Sequence, residues 1–167
     1  MFEHLSNPEY VHVLLNPLPV YGLAMGVLGL VIALISGSRA ARVTALALIF
    51  LSALSAWPVY EYGEKGYDRV FAMADSDGGK WLNEHMARAE KLIYLFYAAA
   101  ALAALGMAAE FKFPRAAVPI ALVTVLLSAG TLGAGGYIAY AGGKVRHREF
   151  RYEPPPERPA GEHEHEH

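Results

Sequence analysis

The sequence predicts an all-α membrane protein, a four-transmembrane-helix up-down bundle with both termini on the same side. Three observations carry this. Hydrophobic residues fill 54% of the 167 positions and charged ones only 18%, with a mean hydropathy of +0.26, which is too apolar for an ordinary soluble domain. Four stretches approach or exceed the roughly 20 mainly apolar residues that cross a bilayer core. Their connections run short, long, short, and the two short turns fall on one side, which fits antiparallel neighbours.

The first span is read at residues 14–36. It follows "VHVLLNPLP" (11–19), in which a histidine, an asparagine and two prolines crowd the helix entry. It does not read as a cleavable signal peptide, because no basic region precedes it and Arg39 and Arg42 follow it. "GSRAAR" (37–42) is a tight basic turn into the second span, 43–60. Residues 61–85 form the long connection. Gly78 and Gly79 are expected to break any helix there, with Asp75 or Asp77 as poor caps and Asn83 as the better N-cap. The third span is read at 91–109 with a polar helical lead-in from 82. "FKFPR" (111–115) is the second tight turn, and the fourth span covers 116–140. Residues 1–146 thus form the transmembrane domain. Residues 147–167, with Pro154, Pro155 and Pro156 and the ending "GEHEHEH", read as a flexible Pro-rich, His/Glu-rich tail.

Composition also excludes chemistry. The formal net charge of -2 gives no nucleic-acid footprint. With no cysteine, the chain makes no disulfide, ligates no iron–sulfur cluster and attaches no c-type haem. There is no nucleophile motif, phosphate loop or HExxH, so independent catalytic activity is not expected.

Two histidines stand out. Odd-numbered spans of an up-down bundle run in the same direction, so His12 and His85 share a membrane face. His12 precedes Ser36 by 24 residues and His85 precedes Glu110 by 25. At ~1.5 Å per residue both lie about 36–38 Å from the opposite turns. Two imidazoles at one depth on separate helices suit one metal or one haem iron. Arg88, one turn after His85, is a candidate partner for a haem propionate, and Glu61 a candidate third metal ligand. Trp57, Tyr60, Tyr62 and Trp81 read as interfacial belt residues. Pro17 and Pro19 weaken the helix and open space at its mouth. Gly22, Gly26 and Gly29, and Gly130, Gly133, Gly135 and Gly136, offer side-chain-free faces for helix packing or for a flat macrocycle. Each half of the chain also reads histidine, long helix, basic turn, second helix, a faint internal repeat.

These features resemble a family of small bacterial four-span membrane proteins catalogued as a domain of unknown function. In that family the first helix opens with His-Pro, a short apolar stretch, a second His and Phe-Pro. "HVLLNPLP" (12–19) keeps the first His as His12 and the last Pro as Pro19. His85 matches the histidine that opens the family's third helix, and "GGYIAYAGGKV" (135–145) is similar to the end of its fourth. The resemblance covers residues 11–146. Val13 replaces the first proline and Pro17 the second histidine. Some family members are fused to Rieske-type iron–sulfur domains, which implies a place near electron transfer.

The expectation is an integral membrane b-type haem protein or electron-transfer subunit. His12 and His85 would hold haem b, with Arg88 at a propionate. Two alternatives are a non-catalytic structural subunit of a larger respiratory or membrane complex, and a membrane protein that binds metal through His12, His85 and Glu61, with His4 and the acidic tail nearby. The expected partners are the lipid bilayer and other membrane or electron-transfer proteins, in the bacterial inner membrane with the termini on the periplasmic side.

Overall fold

The computed structural model describes residues 5–157. Four helices are long and apolar enough to cross a membrane: α1 (Pro8–Ile35), α2 (Arg39–Lys65), α3 (Ser76–Lys112) and α4 (Pro114–Arg146). They pack in a ring, α1 on α2, α2 on α3, α3 on α4 and α4 back on α1. The bundle is all-α, and the chain enters α1 and leaves α4 at the same end.

Every span is longer than expected, and the earlier starts of α1, α2 and α3 have local causes. α1 starts at Pro8, where a proline costs nothing because the first helical amide has no partner. His12 therefore lies inside the helix. Residues 18–22 then form a π-helical turn, followed by regular helix from Leu23 to Ile35. Pro17 and Pro19 explain that turn. A proline in an α-helix removes an amide and pushes its ring against the carbonyl four residues earlier. A wider turn moves that carbonyl away, and such turns recur at functional sites.

α2 starts at Arg39 behind Ser38, whose hydroxyl accepts the Ala41 amide. Gly37, at φ +66°, makes the left-handed step out of α1 that a side chain would resist.

The long connection differs most from expectation. It holds a short helix, Tyr67–Ala72, and α3 already begins at Ser76. Asp75 caps it, accepting the Gly78 amide at 2.7 Å. Asn83, the expected cap, lies within the helix and accepts a hydrogen bond from the Tyr67 hydroxyl. Gly78 and Gly79 do not break the helix. A Cβ on Gly78 would stand 2.7 Å from the Val145 carbonyl, and one on Gly79 3.0 Å from the Phe71 ring. They are glycines because the end of α4 and the short helix press against α3.

Small residues let the spans approach, as expected where hydrophobicity cannot discriminate protein from lipid. Leu23, Leu30, Leu46, Ile49, Phe96, Ala99 and Ala103 form the central core. Gly22 sits against Ser52, and a Cβ on Gly26 would meet Ile49 Cγ1 at 2.8 Å. These two glycines serve helix packing rather than a ligand. At the end with the short turns, Arg42 grips Glu110 with two hydrogen bonds of 2.6 and 3.0 Å, joining the start of α2 to the end of α3. Glu110 is 2% exposed.

The first residues of the segment read as a tail are docked. Arg151 bonds Asp75 at 2.8 Å and the Lys144 and Val145 carbonyls at 2.7 and 2.9 Å. Glu153 meets Lys144 Nζ at 2.7 Å. Lys144 is 1% exposed, boxed between Trp81 and Tyr140 with its ammonium 4.2 and 3.9 Å from the ring centroids. Trp81 is thus buried, not a belt residue, while Trp57 is exposed as a belt residue should be. His4 and the ending "GEHEHEH" lie outside the described residues.

Candidate functional site

His12 rises from the first segment of α1 and His85 from α3, and their rings meet with centroids 6.2 Å apart and planes at 85°. The equal depth read from the sequence becomes proximity. Each ring is held by the neighbouring span. His12 Nδ1 donates to the Val59 carbonyl of α2 at 2.8 Å, and His85 Nδ1 donates to the Ile138 carbonyl of α4 at 3.0 Å. A carbonyl can only accept, so Nδ1 carries the hydrogen on both rings. In a neutral imidazole Nε2 then bears the lone pair. Fixing the tautomer through the far nitrogen is how proteins orient metal-ligating histidines.

Two glycines make room for the rings. A Cβ on Gly63 would lie 2.8 Å from His12 Nδ1, and one on Gly142 would lie 3.0 Å from His85 Nδ1 and Cε1. Gly63 follows Val59 by one turn and Gly142 follows Ile138 by one turn. The two halves of the chain therefore use one device twice: a histidine on the first helix, a carbonyl on the second, and a glycine one turn later that leaves space for the ring. This gives the faint repeat a structural basis. Both halves point the same way through the membrane, as parallel repeats do.

The histidines line two cavities, together with Asn16, Gly63, Met86 and Ala139, which also face both. One is a narrow apolar pocket of about 70 Å³ reaching inward to Pro19, Val20, Phe96 and Gly135. The other measures about 700 Å³ and extends outward past Tyr67, Met73 and Gly143 to Arg146 and His147. That volume falls within the range of cofactor sites, roughly 300–1,000 Å³. Pro19 and Gly135 thus reach the site as the sequence suggested. Gly130, Gly133 and Gly136 do not, since a Cβ on any of them meets nothing within 4 Å.

Two expected residues stand apart. Arg88 is buried and engaged, with Nε on Glu84 at 2.7 Å, Nη1 on the Tyr137 carbonyl at 2.9 Å and the guanidinium 3.7 Å from the Tyr137 ring centroid. It lines neither cavity. Glu61 is 3.6 Å from Lys65, its side chain 40% exposed, and does not join the histidines. Among the described residues no three His, Asp or Glu side chains gather as a metal-ligating group.

Sequence reasoning passed over Gly63, Gly142 and Arg146. A signal for the first two exists. "VYEYGEK" (59–65) and "IAYAGGK" (138–144) share a β-branched residue, a glycine four positions later and a lysine two positions after that. The spacing puts each glycine one turn above the carbonyl that its histidine binds.

No family model matches the chain, and no curated protein or solved structure matches it either.

Proposed function

We propose that the protein is a multi-pass b-type haem protein serving electron transfer, with His12 and His85 as the residues that would hold the haem iron. One observation carries this reading: two imidazoles, each anchored through Nδ1 to a backbone carbonyl, keep Nε2 for a ligand beside a shared cavity. The spacing fits. The ring centroids lie 6.2 Å apart, close enough for both imidazoles to reach a single metal ion. Two histidines would suit a haem iron better than a zinc, which takes three or four ligands from the protein. When bound, haem would supply one-electron redox chemistry. The chain's own part is to fix both rings, exclude water with the apolar wall of Val20, Ile93 and Phe96, and present the outer cavity to the aqueous face. The proposal follows the resemblance to a four-span family with Rieske fusions and includes an inner-membrane location with the histidine end in the periplasm.

The test is a reduced-minus-oxidised spectrum of protein expressed with ample haem. Wild type should show b-type bands, and His12→Ala and His85→Ala should each lose them. Colourless wild type would refute the proposal. Bands that survive either substitution would refute the ligand pair. Because the chain lacks cysteine, single cysteines placed at Gly37 and Tyr152 test the orientation by labelling from one side.

A second reading, a structural subunit of a larger membrane complex, draws on one observation. The outer face of α4 carries Gly130, Gly133 and Gly136 with open space around them. Such a face admits another helix closely.

A further inference from the structure

We infer that the outer cavity receives an amphiphile with an anionic head, and that Arg146 is the cation that takes this head. The inference deepens the haem reading and rests on it, the head being then a haem propionate.

Arg146 is the last residue of α4 and lines the outer cavity together with His12 and His85. It lies four residues beyond Gly142, the glycine against His85, so it stands roughly 6 Å further along the helix axis, toward water. Among the described residues its guanidinium makes only long contacts, 3.5 Å to the Met73 carbonyl and 3.7 Å to the Met73 sulfur. Among the described residues no carboxylate lies within ion-pairing distance of it. The neighbouring cations differ: Arg69 holds Glu9 at 2.9 Å, Arg148 holds Asp75 at 2.7 Å, Arg151 holds Asp75 at 2.8 Å and Lys144 holds Glu153 at 2.7 Å.

The other charged groups on the cavity wall are accounted for. Glu9 is paired with Arg69, and His147 Nδ1 sits 2.9 Å from Glu149. Apart from Asn7, Tyr10, Asn16 and Tyr67, the uncharged part of the cavity wall is apolar or small, with Val145, Leu82, Met86, Gly143 and Ala139 among it. An apolar body inside and an anion at the rim match this polarity. Arginine suits a carboxylate because its planar fork donates two hydrogen bonds at once. Arg88, the cation expected in that role, is committed to Glu84 and Tyr137.

The experiment titrates purified protein with haem b and with its dimethyl ester, which has the same macrocycle but no carboxylates. Arg146→Gln should weaken haem b binding about two- to fivefold, as an exposed charge-assisted pair would. It should leave the ester unchanged, and Arg146→Lys should recover part of the loss. Equal losses for haem b and ester, or no loss for either, would overturn the inference while the haem reading stands. Wild type that binds neither would overturn both. Circular dichroism and the detergent elution profile of each variant separate lost binding from lost folding.

Discussion

A methyl group placed on Gly142 tests the site most directly. In Gly142→Ala the new Cβ would stand 3.0 Å from both Nδ1 and Cε1 of His85, whereas carbon atoms settle at about 3.5–4.0 Å. The ring must therefore move by several tenths of an ångström, away from the Ile138 carbonyl that holds it at 3.0 Å. Overpacking of this kind costs about 1–3 kcal/mol. Alanine returns ~1 kcal/mol through its better helix propensity, so the net loss of folding stability is small, about 0–2 kcal/mol. Ligand affinity should suffer more. Losing the group that orients a metal-ligating histidine typically weakens binding 10–100-fold. Gly63→Ala should act alike through His12, with its Cβ 2.8 Å from Nδ1. Gly136→Ala is the control, because its Cβ meets nothing within 4 Å. Haem titration in detergent, followed by the Soret band, with thermal melts of the apoprotein, measures both quantities. If Gly142→Ala bound haem as tightly as Gly136→Ala does, the ring would not be confined as described.

Three further outcomes are expected. Arg42→Ala leaves buried Glu110 with the more distant, exposed Arg39 at 3.8 Å and should cost less than the roughly 3–5 kcal/mol of a fully unpaired buried charge, much of it recovered in the double variant with Glu110→Ala; additive losses in the cycle would show that the pair is not coupled. The carboxyl of Asp75 is held below the ordinary carboxylate range by the Gly78 amide, and then by Arg151 and Arg148. Its stabilising effect is complete above a pKa of about 4 and is lost as pH falls through the lower folded value; thermal melts across that acid limb should flatten in Asp75→Asn and stay steep in Asp77→Asn. Truncation after Arg151 removes Glu153, the partner of buried Lys144, and should lower the melting temperature, whereas truncation after Glu157 should not.

The membrane helices were legible because apolar length is a composition signal that needs no tertiary knowledge. Depth was legible too, since a constant rise per residue turns residue number into height, and His12 and His85 do meet. What failed were judgements that depend on neighbours. Gly78 and Gly79 weaken a helix in isolation, but the Val145 carbonyl and the Phe71 ring require them there. Arg88 was placed by its position one turn after His85, yet its direction is set by Glu84 and Tyr137. Trp81 has a belt residue's chemistry, but Lys144 covers it. The opening of α1 was half legible. Two prolines announced a distorted helix, but only the packed structure reveals a π turn after a regular first segment.

The duplicated histidine device bears on handedness of entry. Because the two halves present equivalent rings, a flat occupant whose two faces differ has two ways to sit, exchanging which face each imidazole meets. The halves diverge at the rim. Four residues after Gly142 comes Arg146, while four residues after Gly63 comes Tyr67, and both line the same cavity. A cation at one rim position and a phenol at the other make the halves unequal there, so the symmetry of the two imidazoles ends at the water's edge.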